Sequence, residues 1–299
     1  MTMTVRVANA PCSWGVEFAD DERNLPWREL LAQCAAAGFR GIELGPVGYM
    51  PEDPAELAEA FAQHELELVG GVVFQPFHDP ARWDQVLDAA TRSCQVLAAH
   101  QAQQLVLIDS ISPRRAPTAG RPDEAEQMER DEWAAFRDRI AHVARLATND
   151  FGLAVSIHPH AAGYVDFQPE VERLLDEVDD SDLGLCLDTG HFTYAGGDPV
   201  EFMSTHRDRL RYVHFKDIDP EVKADVIANR TGFYQACGQG IFCPLGHGEV
   251  DFDAVRDLLI DIGYDGWCTV EQDCDPDGDT SPLDDAIVNR GYLNSLGFG

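Results

Sequence analysis

The chain has 299 residues, and its 22 Lys and Arg against 53 Asp and Glu give a formal net charge of −31. Such an acidic surface repels phosphate backbones and anionic lipids, so nucleic acids and membranes are poor partners. Hydrophobic residues make up 44% and charged residues 25%, values close to globular averages that argue against disorder. The length permits one large α/β fold, because barrels reach about 250 residues as a single domain.

The N-terminal segment and the cysteines both indicate an intracellular protein. Residues 1–14 include no long apolar stretch of the kind found in signal peptides. No run approaches the ~20 apolar residues of a membrane-spanning helix. None of the eight cysteines forms a C-x-x-C pair, so we expect reduced, mostly buried thiols and no zinc–cysteine site in a cytoplasmic protein. The cysteines are Cys12, Cys34, Cys94, Cys186, Cys237, Cys243, Cys268 and Cys274.

In chain order, short apolar runs alternate with longer amphipathic segments. The apolar runs, which we predict to be strands, span residues 5–14, 41–45, 66–74, 104–110, 153–160, 183–191, 210–219 and 266–273. The segments between them predict helices, several of which open with an Asp-Pro pair that suits a helix N-terminus. The pairs lie at 53–54, 79–80 and 198–199, and further helices are predicted over 123–149 and 281–296. Gly38 suits the C-terminal end of the first helix.

Eight strand-then-helix units are typical of a (β/α)₈ barrel. The strands are near-continuous apolar runs, as expected for parallel strands with both faces buried. A doubly wound sheet is the alternative, but no G-x-G-x-x-G follows the first strand. No linker or low-complexity segment divides the chain. We therefore predict an α/β fold that consists of one barrel domain over residues 1–299.

Nearly every predicted strand ends in a side chain that can titrate or bind a metal. Active sites of such barrels lie at the C-terminal ends of the strands, so these side chains define the candidate site. Four of the ten histidines fall at the ends of strands five, six and seven, which is more than chance placement explains. The strand-end residues are Trp14, Glu43, His78, Asp109, His158, His160, Asp188, His191, His214, Lys216, Asp217 and Glu271.

Four of these side chains form a candidate metal site on consecutive strands. They are His158, Asp188, His214 and Glu271. Gathering two carboxylates on one axis is costly without a cation, because like charges repel. Two imidazoles and two carboxylates suit Mn²⁺, Co²⁺, Fe²⁺ or Zn²⁺ better than Mg²⁺. Structural alternatives exist for single members: Asp188 could cap a helix, and His214 could pair with Asp217 alone.

Several motifs resemble a known superfamily. DTGH (188–191), HFKD (214–217), PLGHGEVDF (244–252) and GWCTVEQD (266–273) resemble the xylose-isomerase-like barrels, a superfamily of sugar isomerases and epimerases. A more specific combination resembles the inosose dehydratases of inositol catabolism: HPH (158–160), GGDP (196–199) and GIFCPLGHG (240–248). The N-terminal segments NAPCSWGVEF (9–18) and GIELGP (41–46) fit the same group, so the resemblance covers essentially the whole chain.

The resemblance implies a bound divalent metal, with Mn²⁺ or Co²⁺ favoured and Fe²⁺ or Zn²⁺ as alternatives. Its implied ligands are His158, Asp188, His214 and Glu271. Epimerases of the superfamily have Glu at the strand-five position, and two glutamates then exchange protons on both faces of the substrate. This chain has His158 there, so we expect proton removal followed by loss of water rather than epimerisation.

The implied reaction is β-elimination of water from a keto-cyclitol such as 2-keto-myo-inositol, or from a related 3-keto-sugar. Glu271, His160 and His191 are the candidate bases, and a histidine is favoured because its pKa lies near neutrality. Lys216 is expected to hold a substrate hydroxyl or the enolate oxygen, or else to pair with Asp217 at the surface. Substrate contacts are expected from Trp14, Glu43, His78 and Asp109, although Trp14 and Glu43 could equally pack at the barrel rim.

The glycine-rich segment at residues 236–250 is predicted to be a lid loop, since it lacks the Lys-Ser/Thr of a phosphate-binding P-loop. The acidic composition favours a neutral polyol or keto-sugar substrate over a sugar phosphate. The main functional alternative is a metal-dependent isomerase or epimerase of free ketoses. An endonuclease of abasic DNA on the same barrel is opposed by the net charge, and a non-enzymatic sugar-binding barrel has no need of an open metal site. The oligomeric state stays open, a homo-oligomer included.

Overall fold

The computed structural model describes residues 5–273 and 281–299. In chain order its strands are β1 (Arg6–Asn9), β2 (Gly41–Glu43), β3 (Glu67–Gln75), β4 (Gln104–Asp109), β5 (Ala154–Ile157), β6 (Gly184–Asp188), β7 (Leu210–Phe215), β8 (Asp217–Ile218), β9 (Phe242–Cys243) and β10 (Trp267–Val270). Within the described ranges, β1 to β7 and β10 pair in parallel as a closed barrel, with β10 between β7 and β1. The predicted (β/α)₈ barrel is confirmed.

The helices alternate with the barrel strands and pack around them. They are α1 (Trp27–Ala36), α2 (Pro54–His64), α3 (Trp83–Ala99), α4 (Arg130–Phe151), α5 (Gln168–Glu177), α6 (Thr189–Tyr194), α7 (Pro199–Thr205), α8 (Pro220–Ala228), α9 (Phe233–Gly238), α10 (Phe252–Asp261) and α11 (Pro282–Ser295). The helix starts predicted at Asp-Pro pairs are confirmed for α2 and α7. There Asp53 and Asp198 accept hydrogen bonds from the first free backbone N–H groups of the helix. In the described part of the chain, no helix is both long and apolar enough to span a bilayer.

Two predicted elements begin or end elsewhere for identifiable reasons. The first apolar run continues past β1 as a short 3₁₀ turn at Pro11–Trp14, because Pro11 has no N–H to donate to a strand ladder. Helix α4 begins at Arg130 rather than near residue 123. There the Glu132 side chain accepts a hydrogen bond from the Glu129 backbone N–H, which forms a capping box.

Apolar side chains inside the barrel form the floor of the candidate site. Val106, Ile108, Cys186 and Tyr212 are buried together within it. Side chains alternate between the two faces of a strand. Asp188 therefore shares its face of β6 with Cys186, and His214 shares its face of β7 with Tyr212. This alternation brings polar groups to the barrel axis one layer above the apolar interior.

A long excursion between β7 and α10 covers the C-terminal face of the barrel. It includes α8 and α9, and β9 pairs antiparallel with β8. The buried Asp217 carboxylate holds the segment in which the excursion returns to the barrel. It accepts hydrogen bonds from the backbone N–H groups of Gly246, Gly248 and Val250 at 2.8–3.1 Å. Gly248 is required at this contact, since a Cβ there would lie 2.3 Å from an oxygen of Asp217. The predicted lid segment is therefore an ordered wall rather than a simple loop.

Candidate metal centre and active site

Four polar side chains meet on the barrel axis, at the C-terminal ends of β5, β6, β7 and β10. They are His158, Asp188, His214 and Glu271, and one ligand-type atom from each lies within 4.8 Å of the others. His158 Nε2 is 3.6 Å from Asp188 Oδ2 and 3.8 Å from Glu271 Oε2. His214 Nδ1 is 3.1 Å from Glu271 Oε1. The structure thus brings the four predicted ligands together.

Several atoms of this cluster are buried without a hydrogen-bond partner among the described residues. They are both ring nitrogens of His158, Nδ1 of His214 and Oδ2 of Asp188. Buried polar groups without partners are costly and rare. A divalent cation would satisfy one ring nitrogen of each histidine and Oδ2 of Asp188 with nitrogen and carboxylate ligands, which is the chemistry that Mn²⁺, Co²⁺, Fe²⁺ and Zn²⁺ accept. The residues present therefore fit a divalent metal.

Glu43 at the end of β2 orients one of these ligands. Its Oε1 lies 2.9 Å from His214 Nε2, and both side chains are fully buried. A carboxylate that accepts the N–H of a ligating histidine fixes the ring and raises its basicity. Glu43 also lines the adjoining cavity, so the expected substrate contact and this orienting contact come from the same side chain.

The Asp188 carboxylate caps a helix and also faces another proposed metal ligand. On sequence alone, the cap and the metal site were alternatives. Its Oδ1 accepts the His191 backbone N–H at 2.6 Å and caps helix α6, while Oδ2 faces His158. Burial opposes ionisation of this carboxyl, but Lys216 and His191 outweigh it and lower the pKa of Asp188 to about 2. Because α6 begins directly after β6, His191 lies in the first turn of a helix rather than at a strand end.

The Lys216 ammonium points into the centre and not to the surface. Its Nζ lies 2.8 Å from Asp273 Oδ2, 3.3 Å from Glu271 Oε2 and 3.7 Å from Asp188 Oδ2. The alternative of a surface ion pair with Asp217 is wrong, since Lys216 is 1% exposed. Burial acts to lower the pKa of Lys216, but the three carboxylates outweigh it and raise the pKa well above its usual value.

His160 and His191 stack beside the centre with ring centroids 4.0 Å apart. His160 Nδ1 lies 2.9 Å from the Ala161 carbonyl oxygen, which can only accept, so the ring donates there and keeps a lone pair on Nε2. Burial, followed by the neighbouring imidazoles, lowers the pKa of His160 well below its usual value. His160 is therefore a neutral hydrogen-bond acceptor at pH 7.

Asp273 belongs to the site although sequence reasoning did not single it out. Its carboxylate contacts Lys216 and lies 3.4 Å from His191 Nε2. Burial opposes ionisation, but Lys216 and His191 outweigh it, so the pKa of Asp273 is well below its usual value. The available signal was the spacing, because residues two apart leave a strand on the same face and Glu271 was already a candidate.

A cavity of about 630 Å³ adjoins the centre. Its polar lining includes Glu43, His160, Glu271 and Asp273. Its outer part is lined by aromatic rings of Phe18, Phe74, Phe233 and Tyr234, the last two from α9. Pockets of 300–1,000 Å³ with few convergent polar groups are typical of small-molecule sites. Of the predicted catalytic residues, His191 and Lys216 lie behind this lining rather than in it.

Three predicted substrate contacts are not part of the cavity lining. Trp14 is buried in the hydrophobic core, and its Nε1 donates to Gln33 Oε1 at 2.9 Å. His78 and Asp109 hydrogen-bond each other at 2.8 Å, and Asp109 also accepts the Tyr164 backbone N–H. These contacts tie barrel loops together, and the structure places all three residues outside the lining of this cavity. Cys274 lies outside the described residues.

The model of the xylose isomerase-like TIM barrel family matches residues 31–292. The chain belongs to this family. Among family relatives, the chain is 29% identical to the inosose dehydratase of Salmonella agona (strain SL483), over 98% of this chain and 96% of that protein. It is 30% identical to the rhizopine catabolism protein MocC of Rhizobium meliloti, over 92% of this chain and 83% of that protein. The expected resemblance to inosose dehydratases is confirmed.

The fold is also found in solved structures of xylose isomerase-like TIM barrels. The IOLI protein, crystallised with a binding zinc atom, superposes with a TM-score of 0.72 over 98% of both chains at 15% sequence identity. At that identity the likeness shows the shared barrel.

Proposed function

We propose that this protein is a metal-dependent dehydratase, a carbon–oxygen lyase that removes water from a keto-cyclitol such as 2-keto-myo-inositol or from a related 3-keto-sugar. One observation carries the proposal: a cluster of two imidazoles and two carboxylates with unpartnered buried atoms adjoins, through Glu271, a cavity that His160 lines. The near full-length relative that is an inosose dehydratase supports this choice of reaction.

The proposed metal ligands are His158, Asp188, His214 and Glu271, and Mn²⁺ or Co²⁺ is the proposed ion. When bound, such an ion acts as a Lewis acid that polarises a carbonyl group and makes the neighbouring C–H more acidic. Glu43 holds the His214 ring in place through its 2.9 Å contact. Lys216 neutralises the excess of carboxylate charge around the ligands.

We assign His160 as the base. Its Nδ1–H is engaged with Ala161 O, so the Nε2 lone pair is the ring's available acceptor. In the elimination, Nε2 takes the proton from the carbon beside the ketone, and that electron pair forms the C=C bond. The β-hydroxyl leaves with its bonding pair and takes the proton that His160 Nε2 removed, so that water is released and His160 returns to its neutral form. His191 has no place in the lining, so we assign it the role of supporting His160 by stacking.

Mass spectrometry of the reaction products tests the proposal. Protein freed of metal by chelation and then loaded with Mn²⁺ or Co²⁺ is incubated with a panel of inososes and 3-keto-sugars. We expect one substrate class to give a product lighter by one water, and the chelated protein to be inactive. A product of unchanged mass, whether an epimer or an aldose/ketose isomer, would support the isomerase alternative. Full activity in protein that elemental analysis shows to be metal-free would refute the metal centre.

Incorporation of deuterium from D₂O tests the assignment of His160 as the base. His160→Gln should lose both dehydration and the incorporation of solvent deuterium beside the ketone, because both need removal of the same proton. A His160→Gln protein that still exchanges this proton at the wild-type rate would show that another group is the base.

A further inference from the structure

A second set of metal-type side chains lies directly beside the four proposed ligands. His160, His191 and Asp273 each offer one ligand-type atom, and these atoms lie within 4.8 Å of one another. Two imidazoles and a carboxylate repeat the chemistry of the first set. The two sets have no member in common, but Glu271 of the first and Asp273 of the second belong to a third group with Cys12. By residue type alone, this barrel could hold a second divalent cation.

The Lys216 ammonium already lies in that second position. Its Nζ is 2.8 Å from Asp273 Oδ2 and 3.0 Å from His191 Nε2. A divalent ion would bind the same two atoms at about 2.0–2.2 Å and would overlap the ammonium. The lysine stem reaches this point across Gly190, where a Cβ would come within 2.7 Å of Lys216 Cγ.

The hydrogen bonds of His191 are those expected of an imidazole ring that faces a cation. A lysine ammonium has three donors and no acceptor, so the 3.0 Å contact needs a lone pair on His191 Nε2. Two contacts compete with it, the Ala161 backbone N–H to Nδ1 and Nε2 to Asp273 Oδ2, and both are longer, at 3.4 Å, and therefore weaker. His191 Nε2 and Asp273 Oδ2 thus both present lone pairs to one positive charge.

The charges of the centre leave room for the ammonium beside one divalent ion. The carboxylates of Glu43, Asp188, Glu271 and Asp273 carry four negative charges, against three positive charges from one divalent ion and the ammonium. We propose that the Lys216 ammonium occupies the position of a second cation and thereby limits the centre to one divalent metal ion per chain. This inference rests on the proposed metal centre. It gives Lys216 a task in addition to offsetting carboxylate charge: no second metal can take the Nε2 lone pair that His160 needs as a base.

Metal stoichiometry tests the inference without an activity assay. Wild type, Lys216→Met and Lys216→Gln are stripped with chelator, saturated with Mn²⁺, gel-filtered and analysed for metal per chain. Lys223→Met is the matched control, because Lys223 pairs with Glu249 outside the centre. The double variant Lys216→Met/Asp273→Asn removes a proposed ligand of the second position. Circular dichroism establishes which variants are folded.

We expect one ion per chain in wild type and Lys223→Met, two in a folded Lys216 single variant, and one again in the double variant. Two Mn²⁺ ions in these adjacent positions should also show magnetic coupling in the electron paramagnetic resonance spectrum. A folded Lys216 variant that saturates at one ion overturns the inference. So does a second tightly bound ion in wild type, which keeps the test valid even if neither Lys216 variant folds. A wild-type protein that binds no ion contradicts the proposed function instead.

Discussion

Glu271 lies close to three other side chains of the centre. Its two oxygens lie 3.1 Å from His214 Nδ1, 3.3 Å from Lys216 Nζ and 3.8 Å from His158 Nε2. It also lines the cavity. A change at Glu271 should therefore alter both metal binding and turnover.

We expect Glu271→Gln to lower turnover by at least ~10²-fold, the size of effect typical of a lost acid–base or charged group. Metal content should fall as well, because an amide oxygen is a poorer ligand than a carboxylate. Glu249→Gln is the control: Glu249 is exposed and paired with Lys223 at 2.6 Å, so its substitution should leave metal content unchanged. Wild-type rate and metal content in Glu271→Gln would show that the centre is misplaced.

Glu43 provides a second test at the residue scale. It contacts the proposed metal ligand His214 without being a ligand itself. Glu43→Ala removes the acceptor of the His214 Nε2–H and should weaken metal affinity by about 10–100-fold. Glu43→Gln keeps an acceptor oxygen and should lose less. Competition against a chelator of known affinity measures both variants. Equal affinity in wild type and Glu43→Ala would remove the orienting role.

Sequence reasoning at the residue scale succeeded where position on a strand decides the outcome. His158 and Glu271 follow their strands directly, and Asp188 and His214 lie within theirs, so barrel geometry alone predicts that they converge. For Trp14, substrate contact and packing were equal alternatives, and the 3₁₀ turn after β1 places its side chain in the core. Residue type does not show where a side chain points after such a turn, nor that Lys216 pairs with Asp273, 57 residues further along the chain.

Among the elements, the loop between β5 and α5 depends on a buried charge network. Arg115 forms a two-pronged ion pair with Glu170 at 2.7 and 3.0 Å, and Glu170 also accepts the backbone N–H groups of Asp166 and Phe167. Asp166 Oδ2 accepts the backbone N–H of Ala162, which has a φ of 68°. This loop carries His160, so the network holds the proposed base in place.

Burial raises the pKa of Asp166 to about 7, against 3.8 for an unperturbed carboxyl. A carboxyl with a raised folded-state pKa stabilises the fold fully below its unfolded pKa, and this contribution is lost as pH rises through the folded pKa. Asp166→Asn should therefore gain stability relative to wild type between pH 4 and pH 8, by a few kcal/mol. Urea unfolding at several pH values measures the difference, and a difference that does not change with pH would contradict it.

Element boundaries were predicted less well than element types, again for local reasons. The run ending at residue 191 was assigned to strand six, but Asp188 caps a helix that starts at Thr189. The apolar residues Phe192 and Tyr194 are fully buried in that helix, so hydrophobicity alone does not mark the change. Residues 236–250 were predicted as a lid loop, but they contain the end of helix α9 and the short strand β9.

For the whole molecule, the −31 net charge is a source of self-repulsion in the folded state. Salt reduces this repulsion, since the Debye length falls from about 10 Å at 0.1 M to about 3 Å at 1 M. We expect the free energy of unfolding in urea to rise as NaCl is increased from 0.05 to 1 M. Exposed ion pairs such as Arg92–Glu52 lose strength in salt, but basic residues are too few to pair most carboxylates. A stability that falls with salt would refute this expectation.

The attachment of the excursion at Asp217 bears on how this scaffold can be altered. The proposed metal ligands and their partners lie on the barrel strands, whereas Phe233 and Tyr234 on the cavity wall belong to the excursion. One carboxylate and the glycine facing it join the two parts at the return to the barrel. A segment from another family member that keeps this junction would place a different wall over the same chemistry. The excursion is thus a segment that recombination can exchange between family members.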